Sequence, residues 1–275
     1  MFDRIIVSCD DSHFKDFWFI VTKSWNKYFP DKKVCLAFVT DRKEDDELVL
    51  KMRKHGEVYL FPIQPNIPTP NQAKMYRHIL AGNFGSDICM IEDIDTIPLQ
   101  KKFVQDITSK REPNTLLNVG REVYNNTEDK GKFPISNITA ESNIFKSLIN
   151  PDNMHYHDLF ISWCDIKHYD NKESVSNIPD PSGMIGGFSD ESLMRVLIER
   201  FKSSGGKTTE IDRGVDIRKY WIDRSWWRID VDMLKNDKYV CCNFLRPFSS
   251  NYEKMESIVK YILDDENIKK EDVIL

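Results

Sequence analysis

Roughly the first hundred residues alternate short apolar runs with segments of helical periodicity, and this alternation limits the possible folds most strongly. Continuous apolar runs suit strands buried on both faces, as in a parallel sheet. The predicted strands cover residues 4–9, 33–40, 57–61 and 87–91. Helices are predicted over residues 14–28, 43–55 and 69–81, the third with Thr69 as N-cap and Gln72 completing a capping box. Such repeated units favour an α/β fold with a mostly parallel, Rossmann-like central sheet flanked by helices.

The second part of the chain is less regular. Its glycine-bearing run at residues 183–188 predicts a strand, followed by a helix that stops at Gly205 and Gly206. Residues 220–248 are aromatic and predict a strand-rich region, and residues 251–263 predict an amphipathic helix. Since neither a repeat nor a linker interrupts the pattern, we expect residues 1–275 to form a single domain.

Composition narrows the class of protein. Apolar residues make up 40% and charged residues 30%, which is typical of a globular protein, and the net charge of -5 argues against a nucleic-acid partner. The six cysteines form no C-x-x-C pair, and Cys9, Cys35 and Cys89 fall in apolar runs, as expected of reduced, buried thiols. The sequence contains neither a signal-like start nor an apolar stretch of about 18 residues. We therefore expect a cytoplasmic protein without a transmembrane segment.

Two acidic residues directly follow the fourth predicted strand. Asp93 and Asp95 are two positions apart, so in an extended segment their side chains point to the same side. Open α/β sheets bind ligands at the carboxyl ends of their strands, and two neighbouring carboxylates favour a hard divalent cation between them. A second D-x-D at Asp230 and Asp232 lacks this setting, and there we expect ordinary surface carboxylates.

With this pair in place, the sequence resembles the GT-A glycosyltransferases. The resemblance rests on the polar end of the first strand (residues 8–11), the following strand–helix units, MIEDIDTIPL (residues 90–99) and GMIGGFSDE (residues 183–191). It implies a GT-A-like domain whose residues 1–100 bind a nucleoside-diphosphate sugar and whose residues 101–275 bind a hydroxyl acceptor. We expect this acceptor to be a glycan.

 

The same resemblance implies roles for individual residues. Asp93 and Asp95 would hold Mn²⁺ or Mg²⁺ on the donor diphosphate, with Asp93 also contacting the donor, and Ser8 and Asp10 would lie near the nucleotide. Many members of the family add a late histidine to the metal, whereas the last histidine here is His168. Asn243, an acidic residue or water are the alternatives for that position.

Further candidate residues lie on two predicted helices. Lys74 and Arg77 share one face of the third helix and would neutralise the diphosphate or steady the sugar, unless they form an ordinary solvated face. Asp190 and Glu191 start the helix after the glycine-bearing strand. The resemblance implies that an acidic residue there deprotonates the acceptor hydroxyl, with Asp190 the first choice, although such acids also stabilise a helix dipole without catalysis.

Two other clusters have competing interpretations. The tryptophans at positions 221, 226 and 227, with Arg224 and Arg228, form either a platform for an acceptor sugar or part of the core. His155 and His157 have the spacing of a metal-binding pair but no third partner in view, so we expect a loop or packing role.

The leading prediction is therefore a metal-dependent glycosyltransferase, with three alternatives. A haloacid-dehalogenase-like phosphatase also uses D-x-D, but Glu92 and Ile97 depart from its usual pattern and the motif stands too late in the chain. A nucleotidyltransferase is disfavoured because no glycine-rich phosphate loop follows the first strand. The missing late histidine leaves room for a sugar- or nucleotide-binding module without catalytic activity.

Overall fold

The computed structural model describes residues 1–12, 14–120, 133–165, 190–213 and 219–274. Its strands are β1 (Arg4–Asp10), β2 (Lys33–Val39), β3 (Glu57–Phe61), β4 (Ile88–Ile91), β5 (Thr96–Pro98), β6 (Thr115–Val119), β7 (Ile138–Glu141), β8 (Lys207–Ile211), β9 (Trp221–Ile222) and β10 (Cys241–Asn243). Its α-helices are α1 (Trp18–Tyr28), α2 (Glu47–Arg53), α3 (Thr69–Ala81), α4 (Lys101–Thr108), α5 (Ser142–Ile149), α6 (Tyr156–Asp165), α7 (Asp190–Ser203), α8 (Val231–Lys235), α9 (Phe248–Leu263) and α10 (Lys270–Val273). Short 3-10 turns cover Lys15–Phe17 and Arg224–Trp226.

The main sheet has the strand order β3-β2-β1-β4-β7-β6-β8. Its strands run parallel except β7, which is antiparallel to both β4 and β6. A smaller sheet has the order β5-β10-β9. The predicted α/β class, with a mostly parallel central sheet flanked by helices, is confirmed.

Each face of the main sheet carries its own apolar core, because successive side chains of a strand point to opposite faces. Ile5 and Val7 of β1 belong to one core, which also contains Trp18 and Trp25 of α1 and the apolar side of α9. Ile6, between them, belongs to the other core, formed mainly with α3, α5, α6 and α7. Burial on both faces accounts for the continuous apolar runs in the sequence.

The predicted cap of α3 is wrong in a way that bears on the site. Pro68 occupies the N-cap position, and the Thr69 hydroxyl instead donates to Asp10 Oδ2 at 2.5 Å. Gln72 forms hydrogen bonds of 2.8 Å with the backbone N–H and carbonyl of Gln64. These two side chains therefore join the helix to β1 and to the preceding loop, which is a tertiary role that a local capping rule does not describe.

Two other predictions also differ from the structure. Helix α2 begins at Glu47 rather than at residue 43, where Asp46 caps it by accepting from Leu48 N. The region 220–248 contains only the short strands β9 and β10 in its described residues, because turns and helix α8 occupy most of it. The predicted strand at residues 183–188 lies outside the described residues.

The remaining local predictions agree with the structure. All four early strands, helix α9 and the end of α7 before Gly205 lie where the sequence pattern indicated. The three cysteines predicted to be buried, Cys9, Cys35 and Cys89, are buried free thiols. Among the described residues, no helix combines the length and the apolar character needed to cross a membrane.

Candidate functional site

The candidate site is a cleft at the carboxyl ends of β1 and β4. The chain runs outward from β1 through β2 to β3 and then returns to β4 on the other side of β1. Strand order therefore reverses between β1 and β4, and open α/β sheets form their ligand crevice at such a point. The cleft has a volume of about 180 Å³.

Seven of the eight predicted site residues line this cleft. They are Ser8, Asp10, Lys74, Arg77, Asp93, Asp190 and Glu191. The eighth, Asp95, is fully buried. The structure thus brings together residues from β1, α3, the end of β4 and α7, although their chemical roles remain predictions. His155 and His157, at the start of α6, do not line the cleft.

Asp95 is held by two arginines from distant parts of the chain. Arg246 donates to its carboxylate through Nε at 2.5 Å and through Nη2 at 2.8 Å, which is the two-pronged arrangement that a guanidinium forms with a carboxylate. Arg224 contacts the same carboxylate through Nη1. The backbone N–H of Phe244 donates to the Asp95 carbonyl at 2.8 Å and so fixes the segment that carries Arg246.

Asp93 is bound by a third arginine, Arg77 of α3. Arg77 Nη1 lies 2.7 Å from Asp93 Oδ1 and also donates to the Glu92 carbonyl at 3.2 Å. Burial opposes ionisation of Asp93, but the Arg77 guanidinium outweighs it and lowers the pKa of that carboxyl. The Asp93 side chain is 24% exposed, so it is reachable from the cleft, unlike Asp95.

The same arginine reaches Asp190, the first choice for the catalytic base. Arg77 Nη2 lies 2.5 Å from Asp190 Oδ2, and both side chains are 4% exposed. Burial acts to raise the pKa of Asp190, but the charge of Arg77, with His78 Nε2 3.9 Å from the carboxylate, holds it below its usual range. A buried carboxylate with a lowered pKa is a weak proton acceptor, so this geometry does not favour the predicted base role.

The predicted basic face of α3 is divided between exposed and buried groups. Lys74 is exposed at the cleft, whereas Arg77 and His78 are almost fully buried. Arg77 therefore acts first as a clamp between two carboxylates rather than as a solvated cation. Glu191 is only partly buried and lines the cleft, which makes it more accessible than Asp190.

Glu92 is a buried carboxyl that the sequence prediction did not include in the site. Its side chain accepts from Asp93 N at 3.0 Å. Burial, together with the negative charge of Asp93, raises the pKa of Glu92 to about 8. The sequence feature that could have identified Glu92 as a site residue is its position at the end of an apolar strand, immediately before the acidic pair.

Two further site residues were missed or assigned elsewhere. Arg246 was not predicted, and Arg224 was considered only as part of an aromatic platform. Their partner Asp95 lies 151 and 129 positions away along the chain. No local pattern marks either arginine, because each contact joins segments that are far apart along the chain.

The side chains predicted to hold a divalent cation are not arranged to bind one in this structure. Asp95 is buried beneath two guanidinium groups, and Asp93 binds Arg77. The alternative third ligand Asn243 uses its side-chain oxygen to accept from Trp221 Nε1 at 2.6 Å. Among the described residues, no group of three or more His, Cys, Asp or Glu side chains is placed to hold a metal ion.

The second D-x-D has a structural role. Asp230 Oδ1 accepts from the backbone N–H groups of Asp232 and Met233 at 2.9 and 3.0 Å, and so caps α8. This contact accounts for the acidic pair without a metal. The nearby tryptophans differ among themselves, since Trp221 is buried, Trp227 is partly buried and Trp226 is 58% exposed.

A mostly parallel sheet with one reversed strand, carrying carboxylates at its switch point, is the architecture of GT-A glycosyltransferases, and the chain has this fold. The galactosyltransferase LgtC, crystallised with donor and acceptor sugar analogues, superposes with a TM-score of 0.55 over 98% of each chain at 11% identity. The glycosyltransferase GlyE of Streptococcus pneumoniae TIGR4 gives 0.52 at 12% identity, over 99% of this chain and 62% of GlyE. No protein-family model and no curated protein matches the sequence.

Proposed function

We propose that this chain transfers a sugar from a nucleoside-diphosphate sugar to a hydroxyl group of an acceptor, which we take to be a glycan. The observation that carries the proposal is the cleft at the switch point of a GT-A sheet, where side chains from four elements meet. The similarity to LgtC, which was crystallised with donor and acceptor sugar analogues, supports the same assignment.

The donor diphosphate would lie against the cations of the cleft. Lys74, Arg224 and Arg246 all line it, and the guanidinium N–H groups that do not bind Asp95 can donate to phosphate oxygens. Negative charge grows on the diphosphate as the bond to the sugar breaks, so fixed cations there stabilise the transition state. Ser8 and Asp10, at the end of β1, would then face the nucleotide.

Proton transfer from the acceptor hydroxyl is assigned to Glu191. The new glycosidic bond forms as the hydroxyl oxygen attacks the anomeric carbon, the diphosphate leaves, and the proton passes to the carboxylate. Glu191 is accessible from the cleft, whereas Asp190 is buried and paired with Arg77. Asp190 would serve instead to position Arg77, and through it Asp93.

Metal use remains a prediction separate from this proposal. Mn²⁺ or Mg²⁺ would have to displace Arg224 and Arg246 from Asp95 before that carboxylate became a ligand. We therefore assign no catalytic step to a cation. Localisation in the cytoplasm is likewise a prediction from the sequence.

The function is tested by donor breakdown. The protein is incubated with a panel of UDP-, GDP-, ADP- and dTDP-sugars, with Mn²⁺ or with EDTA, and release of the nucleotide is measured with and without simple glycosides as acceptors. We expect release from at least one donor, increased by an acceptor. Absence of release from every donor, together with cleavage of p-nitrophenyl phosphate, would support the phosphatase alternative. Donor binding without release would support a non-catalytic module.

A further inference from the structure

A groove of about 500 Å³ lies beside the 3-10 turn Arg224–Trp226. Trp226 and Arg228 form part of its wall, with Asp230 and Tyr239 nearby. The groove does not include the acidic cleft residues.

Trp226 is the unusual residue of this groove. It is 58% exposed, whereas the other five tryptophans of the chain are buried or partly buried. Trp221 shows the contrast most clearly, since it is 8% exposed, packs edge-on against Phe103 and donates its indole N–H to Asn243. A large apolar ring left in solvent beside charged groups is typical of a recognition surface.

The turn that carries Trp226 is held firmly on the side of the acidic cleft. Asp223 caps it by accepting from Ser225 N at 2.7 Å, and Trp226 N donates to the Asp223 carbonyl at 3.3 Å. Two residues before Trp226, Arg224 reaches the buried Asp95 and lines the cleft. The exposed indole and the cleft are therefore connected through one short, anchored turn.

From this arrangement we infer that Trp226 is the stacking platform for a pyranose ring of the acceptor, an inference that rests on the proposed glycosyltransferase function. One face of a pyranose presents C–H bonds with partial positive charge, and the face of an indole ring is negative. Arg228, which lines the groove, supplies N–H donors for the hydroxyls of the sugar. The acceptor would extend from this groove toward the cleft, with its reactive hydroxyl at the cleft end.

The test compares Trp226→Ala with Tyr220→Ala. Tyr220 is a second exposed aromatic residue, 39% exposed, on the same stretch of chain but outside the groove. With the donor and the acceptor glycoside found in the nucleotide-release panel, we expect Trp226→Ala to raise the acceptor KM about tenfold, the effect of losing one ring contact. Donor hydrolysis without acceptor should stay at the wild-type rate, Trp226→Phe should restore most of the acceptor affinity, and Tyr220→Ala should match the wild type.

A binding measurement separates this inference from the proposed function. Saturation-transfer NMR with methyl galactoside, methyl glucoside, lactose and cellobiose needs no donor and no turnover. If the wild-type protein releases no nucleotide yet binds one of these sugars through Trp226, the proposed function fails and the platform stands. If transfer occurs but the acceptor KM of Trp226→Ala equals that of the wild type, or if none of the sugars binds, the platform is overturned.

Discussion

The chain contains two D-x-D sequences that fold into unlike structures. Asp93 and Asp95 follow a strand buried on both faces, and three arginines from distant segments bind them. The Asp230 carboxylate caps a five-residue helix at the surface by accepting from backbone N–H groups two and three positions further along the chain. The difference teaches that the place of an acidic pair in the sheet, rather than its spacing, decides whether it belongs to a site.

The largest expected effect comes from removing the charge of Asp95. Asp95→Asn leaves Arg224 and Arg246 without their shared carboxylate, and because both arginines are partly solvated the loss costs about 2 kcal/mol of unfolding free energy. We also expect sugar transfer to fall by about a hundredfold or more, because both cations lose their position. Urea unfolding and nucleotide release measure the two effects. Transfer at the wild-type rate would show that the first D-x-D is as dispensable as the second.

Glu92 provides a pH test of the same region. Its folded pKa of about 8 lies above the value of an unfolded glutamate, about 4.3, so the unfolded state releases this proton at lower pH. Stability contributed by the protonated carboxyl is therefore present at low pH and is lost as pH rises toward 8. We expect Glu92→Gln to be more stable than the wild type by about 2 kcal/mol at pH 8, with a smaller difference at pH 5.

The measurement for Glu92 is the urea midpoint at pH 5, 6.5 and 8. The exposed Glu253→Gln serves as the control, since loss of its charge removes no buried carboxyl. If the urea midpoints of Glu92→Gln and the wild type change equally between pH 5 and pH 8, the burial of an ionisable group beside Asp93 is contradicted.

Removing the metal tests whether arginines or a divalent cation bind the donor diphosphate at the first D-x-D. Because Arg246 and Arg224 already line the cleft, we expect the nucleoside diphosphate of the active donor to bind in EDTA. Arg246→Gln should weaken this binding about tenfold, whereas Arg228→Gln, outside the cleft, should not change it. Calorimetry supplies the affinities. If binding is lost in EDTA and restored by Mn²⁺, a cation displaces the arginines and the metal prediction is supported.

The smallest expected effect belongs to the second D-x-D. Asp230→Ala removes the N-cap of α8 and should lower the unfolding free energy by about 1 kcal/mol. Nucleotide release should remain at the wild-type rate. A loss of activity without a loss of stability would give this acidic pair a chemical role and would remove the contrast between the two copies.

The predictable part of the fold is the part encoded by local pattern. Strand β2 covers Lys33–Val39, close to the predicted residues 33–40, because burial on both faces leaves a continuous apolar signal. The location of the cleft followed from the same strands together with the rule for switch points. Thr69 shows the limit, since its hydroxyl bonds to Asp10 on β1 instead of forming the local cap.

The unpredictable part is the set of long-range ion pairs. Arg77 and Asp190 are 113 positions apart, and no local sequence pattern near either residue predicts that they pair. The same ion pair changes the expected chemistry of Asp190, because a carboxylate's pKa depends on the partner that the fold brings to it. The strand-rich prediction for residues 220–248 failed for a related reason: aromatic residues there pack onto the core from turns and helices.

The reversed strand β7 has a consequence for how such a site can diversify. Its first residue, Ile138, pairs with Ile91 at the end of β4, so the chain enters this strand at the rim where its parallel neighbours leave the sheet. The segment just before it already places Ile135 in the wall of the cleft. Insertions or exchanges ahead of Ile138 can therefore reshape the cleft while the pairing of the sheet stays intact, which makes this segment a natural starting point for altering specificity by engineering.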